Sequence, residues 1–280
     1  MLRKSGFAET VILSEGSAQI RVILRFAQDD IAYTHRKKGI KMKKRIFLAC
    51  LLMIFLPIVS LATIRPVVTV SSGIARANVY SSKVIAFAPF QNTYIGSNHY
   101  DTASDTGLFI GGEAVFQPNW AWQLGLSYFQ NSSFIESGNV YFFSDPAFNN
   151  LTYQYQIQSR RISIDTKISH AFEKIWHPYL SASIGSAFNK AYQYTEYPVT
   201  TADLPMTQPF ANHSNTSLTY SAGLGFDVDI TEHWRLGAGY RFVNLGNVNL
   251  GTTPLQSSTG TISNSHIYTN ELLAQISYLG

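Results

Sequence analysis

The residues of this 280-residue chain that could carry chemistry are few: seven histidines, one cysteine and a sparse set of charges. Nucleophilic catalysis needs a Ser, Thr or Cys beside a base, and acid–base hydrolysis needs paired carboxylates or a carboxylate beside a histidine. His266-Ile267-Tyr268-Thr269-Asn270 comes nearest, yet no serine stands two residues after the histidine. His99 and His213 sit in polar stretches, and His170, His177 and His233 sit at predicted short turns, so all read as polar surface histidines. No metal-ligand spacing occurs, and Gly223, Gly225, Gly237 and Gly239 recur at period two, a packing pattern and not a phosphate-cradling loop. No catalytic, cofactor or metal site is expected.

What remains is charge on one parity of regular segments: Glu113, Asp165, Lys167, Asp227, Asp229, Arg235, Arg241 and Glu271. The segments that position them alternate strictly. Leu218, Tyr220, Ala222, Leu224, Phe226, Val228 and Ile230 interleave with Thr219, Ser221, Gly223, Gly225, Asp227 and Asp229, thirteen residues without a slip. After a Thr231-Glu232 turn, Trp234, Leu236, Ala238, Tyr240 and Phe242 interleave with Arg235, Gly237, Gly239 and Arg241. The same grammar runs through 108–116, 120–128, 161–168, 180–188 and 271–278, and more weakly through Pro66 to Ala77. Eight strands are predicted.

Their connections alternate in length. Short turns fall near 117–119 (Pro118-Asn119), 172–176 and 231–233, and long Asn/Ser/Thr-rich loops are predicted over 78–105, 129–152, 193–213 and 246–264. Trp120, Trp122, Trp176 and Trp234 all lie just after a short turn, as an aromatic girdle at a headgroup level requires. A soluble barrel would solvate its polar face with Lys and Glu. Here that face is Gly, Ser, Thr and Gln with a few charges, suited to a narrow interior, and the other face is Leu, Ile, Ala, Tyr and Phe. The pattern predicts an all-β fold: an eight-stranded antiparallel transmembrane β-barrel with short periplasmic turns and long extracellular loops.

Composition agrees. Charged residues are only 14% and aromatics also 14%, which suits many half-polar strands and not a helical membrane protein. The net charge of +4 belongs to residues 1–45, which carry eleven Lys and Arg against four acids. The remaining ten bases and thirteen acids leave about −3, so nothing points to nucleic acid. Met42 opens a signal-peptide pattern: Lys43-Lys44-Arg45, an apolar run Ile46–Leu56, Pro57, then Ser60-Leu61-Ala62 before Thr63. Cys50, the one cysteine, lies inside that run, so no disulfide is expected in 63–280. Residues 1–41 fit no targeting pattern and read as a start-site artefact or disordered extension, 42–62 as the signal peptide, and 63–280 as the barrel.

The stretches PVVTVSSG, NNLTYQYQIQSRRISIDTKI, SLTYSAGLGFDVDITEHWRLGAGYRF and IYTNELLAQISYL resemble outer-membrane barrels of the OmpA/Opa-like superfamily. The resemblance implies a bacterial outer-membrane location after export through the periplasm. The partners it implies are outer-membrane lipid and lipopolysaccharide, the barrel-insertion machinery and a host or cell-surface ligand for the loops. Such barrels usually end on an aromatic residue; here Tyr278 precedes Leu279-Gly280, and no peptidoglycan-binding domain is expected. A barrel lipid-A deacylase would carry the serine missing after His266. The expected role is structural or surface interaction (adhesion or envelope integrity), and the alternatives are a narrow ion-conducting pore or a lipid-active enzyme.

Pore and plug differ in the lumen. Glu113, Asp165, Lys167, Asp227, Asp229, Arg235, Arg241 and Glu271 should form ion pairs across it, since a lone buried charge costs several kcal/mol. Counting from the short-turn rim puts Asp165, Arg241 and Glu271 at similar height, and Asp227, Asp229 and Arg235 lower. An Arg241–Glu271 pair with Asp165 or Lys167 opposite would block passage. A water-filled lumen with separately solvated charges is the alternative.

Overall fold

The computed structural model describes residues 63–280 apart from 88–89, 117–118, 174, 200–208 and 254–259. The predicted extension 1–41, the signal peptide 42–62 with Cys50, and Pro118 lie outside the described residues. In chain order the strands are β1 (Thr63–Asn78), β2 (Ser82–Phe87), β3 (Phe90–Gly96), β4 (Tyr100–Phe116), β5 (Trp120–Asn131) and β6 (Phe134–Phe142). There follow β7 (Asn149–His170), β8 (Trp176–Pro198), β9 (Phe210–Ala211), β10 (His213–Asp229), β11 (Trp234–Asn249), β12 (Gly251–Thr252) and β13 (Ser263–Leu279).

Eight long strands form a ring, β7-β5-β4-β1-β13-β11-β10-β8, which closes through pairing of β8 with β7. All these pairings are antiparallel, and the first and last strands meet from Val67↔Leu279 to Ala77↔Thr269. Closure leaves no sheet edge at this level, which is the condition for strands to sit in lipid. Period-two alternation drives it. On β10, Leu218, Leu224 and Phe226 point out and are more than half exposed, while Thr219, Ser221 and Asp227 are buried. Exposed Leu, Ile, Val, Phe and Tyr recur on all eight ring strands. Around an aqueous protein such a band would be an aggregation surface; in a bilayer it is the solvated one.

Two glycine pairs explain the recurrent glycines. Gly111 lies opposite Gly125, and a Cβ on either would strike the Phe109 ring and the facing backbone. Gly225 lies opposite Gly239, and a Cβ on either would strike the Tyr179 ring. The missing side chains make room for one inward aromatic each.

At the short-turn rim Trp120 faces His170 and Trp234 faces Tyr278 across strand pairs, with ring centroids 4.8 and 5.3 Å apart. Trp176 is half exposed beside the β7–β8 turn, and Trp122 faces outward and donates Nε1–H to Thr166 Oγ1 at 2.6 Å.

The predicted long loops are a correction: much of 78–105, 129–152, 193–213 and 246–264 is strand. β2 and β3 form a hairpin, β3 pairs with β6, and β6 pairs with β7 above the stretch where β7 pairs with β5. The ring strands therefore continue past the membrane as a folded extension. Along β7 the two faces exchange polarity. Arg161 and Ser163 are buried inside with Ile162 and Ile164 outside, whereas higher up Tyr153, Tyr155 and Ile157 are buried inside with Gln154, Gln156 and Gln158 outside. Outside the lower part is lipid; outside the upper part is water. In both, the face opposite the solvent takes the other polarity.

A closed barrel with no cysteine after Cys50 should resist detergent until heated. Unboiled protein is expected to migrate faster in SDS gels than boiled protein. Identical mobility would rule out ring closure.

Candidate functional site

The lumen holds the charges in three tiers. Nearest the short turns, Glu113 of β4 accepts from Arg65 of β1 (2.5 Å) and Arg235 of β11 (2.9 Å), and from Gln123 of β5 (2.6 Å). Arg235 also holds Asp229 at 2.5 Å, whose other oxygen meets His177 Nε2 at 2.7 Å.

Above them Lys167 of β7 reaches across to Asp227 of β10 at 2.9 Å and lies over the Tyr179 ring, while Gln275 donates to the same carboxylate at 2.5 Å. Asp165 belongs here as well. It makes no ion pair among the described residues, but with Lys167, Arg241 and Tyr179 it lines a cavity of about 60 Å³.

The third tier joins four strands. Arg241 of β11 donates to Glu271 of the neighbouring β13 at 2.6 Å and to Asp105 of β4 at 3.3 Å. Arg161 of β7 donates to the other Glu271 oxygen at 2.8 Å and to Asp105 at 3.0 Å. The Phe129 ring lies against both guanidiniums, 3.7 Å from Arg241 and 5.2 Å from Arg161. Two cations, two carboxylates and a ring face leave every charge in this buried layer with an opposite partner, which such burial requires.

Above the quartet the interior becomes apolar. Ala75, Ala77, Ala103, Phe134, Tyr153, Tyr155, Ile157, Val243 and Ile267 belong to one buried cluster, with Tyr94, Tyr194 and Phe210 in edge-to-face contacts. Two buried carboxylates are bonded to its tyrosines. Glu196 of β8 accepts from Tyr194 OH at 2.6 Å. Glu136 of β6 is 1% exposed and accepts from Ser81 Oγ and Tyr155 OH at 2.5 Å each and from Asn264 Nδ2 at 2.8 Å. Asn264 also donates to Val79 O at 2.9 Å, so this carboxylate ties β6, upper β7 and β13 to the β1–β2 connection. Burial pushes the Glu136 carboxyl up against the pull of those donors, and burial beside this carboxylate keeps Tyr155 and Tyr153, whose OH also points at Glu136 from 3.4 Å, protonated.

The structure thus brings Glu113 together with Arg235, Lys167 with Asp227, and Arg241 with Glu271, and leaves Asp165 beside them on the cavity. Asp227 and Arg235 lie below the Arg241–Glu271 level. Sequence reasoning missed Arg65, Asp105, Arg161 and Glu136. Asp105 and Glu136 fell in stretches read as loops, whereas Arg161 stood on the inward parity of β7 and could have been found there. His266 and Asn270 both face outward, His266 stacking on Tyr268 and Asn270 accepting from Tyr240, so they do not meet in the lumen.

A closed antiparallel ring with an apolar outer band and an ion-paired interior defines an outer-membrane β-barrel. The chain belongs to the outer membrane protein beta-barrel domain family, whose model matches residues 48–270. No curated protein matches the sequence. Among solved structures it is similar to OprG from Pseudomonas aeruginosa (13% identity, TM-score 0.43, covering 76% of this chain and 95% of that one). It is also similar to the outer membrane protease OmpT from Escherichia coli (12%, 0.40, 78% and 96%) and to Neisserial surface protein A (12%, 0.38, 75% and 96%).

Proposed function

We propose that this outer-membrane barrel is closed to ions and non-enzymatic, and that it serves as a surface protein whose extracellular extension meets ligands outside the cell, in adhesion or envelope integrity. The observation that carries the reading is the buried aromatic and aliphatic cluster above the membrane, stacked on the Arg161–Arg241–Asp105–Glu271 quartet. Ions moving along the lumen would have to break both layers. The same core gives the β2–β3 and β6–β7 hairpins a fixed outer surface, which a recognition surface needs so that little ordering cost falls on binding.

Planar-bilayer recording tests closure: purified protein is expected to give no steady conductance, and stable ohmic steps from the wild type would favour the pore. Replacing the β2–β3 hairpin by a short turn should abolish cell-surface binding while heat-dependent mobility persists. A lipid-A mass spectrum that changes on deletion of the protein would favour the enzyme.

A further inference from the structure

The inward cations Arg65, Arg161, Lys167, Arg235 and Arg241 all have carboxylate partners. Arg160 and Lys190 do not. Both are exposed on the outer wall, and neither forms an ion pair among the described residues. They are close neighbours. Arg160 of β7 lies opposite Phe188 of β8, and Lys190, two residues further along β8, lies opposite Gln158 of β7 and Ser214 of β10. Such diagonal positions on one face are roughly 7–8 Å apart, within reach of a single anion for side chains this long. With Gln158, Ser214 and Thr216 they line a groove of about 320 Å³, and Lys190 rests over the Tyr192 ring.

Height decides what such a groove meets. Ten residues separate Arg160 from His170, which faces Trp120 at the short-turn rim. That is roughly 33 Å of strand, and at a tilt of about 40° it becomes about 25 Å along the barrel axis, the height of an outer-membrane apolar band. The polarity exchange on β7 falls at the same place, between Ile162 and Gln158. Phe188, which lines the groove opposite Arg160, and Ile162 and Leu218 below it are 45–65% exposed on the outer wall. The wall thus offers two unpaired cations, an amide and two hydroxyls at headgroup level, directly above an apolar track.

We propose that Arg160 and Lys190 seat the phosphorylated sugar headgroup of an outer-leaflet glycolipid. Gln158, Ser214 and Thr216 hydrogen-bond its phosphate and sugar hydroxyls, and its acyl chains lie along Ile162, Phe188 and Leu218. A free phosphate would use the cations and leave the apolar track idle; an uncharged lipid would do the reverse. The charge-assisted contacts set the preference for phosphate.

The test titrates the purified barrel, in detergent with EDTA, with bisphosphorylated lipid A and reads bound lipid by native mass spectrometry. R160Q/K190Q is expected to weaken binding roughly tenfold or more while keeping heat-dependent gel mobility. R76Q, which removes an exposed cation elsewhere on the ring, the β1 guanidinium that lies over the Tyr100 ring and makes no ion pair among the described residues, is expected to bind as the wild type does. Dephosphorylated lipid A should bind the wild type roughly tenfold or more weakly than intact lipid A does, and that comparison, made on the wild type alone, decides the matter even where the double variant folds poorly. Undiminished binding by R160Q/K190Q, equal loss in R76Q, or equal affinity for dephosphorylated lipid overturns the assignment. So does inorganic phosphate binding as tightly as lipid A, which would mark a free-anion site.

Discussion

Replacing Arg161 by alanine should destabilise the barrel by about 3–5 kcal/mol, the cost of breaking a buried ion pair by removing one member. Arg161 is buried and supplies one of the two cations that face Asp105 and Glu271. Without it Arg241 alone must neutralise two carboxylates, and Glu271 Oε1 keeps only the Thr269 hydroxyl, at 2.9 Å. The loss also undoes a link between β7 and β13, which are not neighbours in the ring. Urea unfolding in lipid vesicles reads it as a lower midpoint with an unchanged slope. R161A/E271Q removes one charge of each sign and should recover part of the loss, because the penalty comes from uncompensated charge and not from lost volume. Arg161→Ala with a wild-type midpoint, or a double variant whose loss equals the sum of its singles, would show that the quartet is hydrated and each charge is solvated by itself.

The adjacent residues Arg160 and Arg161 show how much of this could be read from the chain. Strict alternation through Arg161, Ser163, Asp165 and Lys167 puts one guanidinium inside and its neighbour outside, and it places Arg241 opposite Glu271 once the last two strands are paired. The strands in lipid are legible because their outward face is apolar over many residues, broken by small hydroxyls such as Ser72, Thr166 and Ser186. The extension is not. Above the membrane the outward face is solvated by water, so Gln154, Gln156 and Gln158 carry no lipid-facing signal, the predicted strand begins only at 161, and the apolar parity moves inward to Tyr153, Tyr155 and Ile157. A reading keyed to one solvent loses the strand where the solvent changes. Asp105 and Glu136 were lost with it, although each stands on the inward parity of a real strand. The glycines at period two were read as packing; that Gly225 and Gly239 both make room for Tyr179 depends on strand register, which composition does not contain.

The carboxylate of Glu136 should make the extracellular core weaker as pH rises. Its surroundings are apolar apart from its donors, and burial holds its folded-state pKa above the ordinary value of 4.5. The folded protein therefore binds this proton more tightly than the unfolded chain does. Its contribution to stability is whole below pH 4.5 and is lost as pH climbs through the raised value, when folding must bury a charge. Hydrogen exchange of the β2, β3 and β6 amides should accordingly be slower near pH 5 than near pH 8, after correction for intrinsic rates. Glu136→Gln keeps a side chain that can accept from Tyr155, Ser81 or Asn264 and cannot ionise, so the pH dependence of protection should flatten while the hairpins stay folded. Glu136→Leu keeps the bulk and removes the acceptor. Two hydroxyls and an amide then lose a buried partner at about 1–3 kcal/mol each, and protection should fall by several kcal/mol at every pH. The glutamine variant separates this carboxylate from every other titrating group on the extension. If it shows the same pH slope as the wild type, the charge on Glu136 plays no part in holding β6 to β7 and β13.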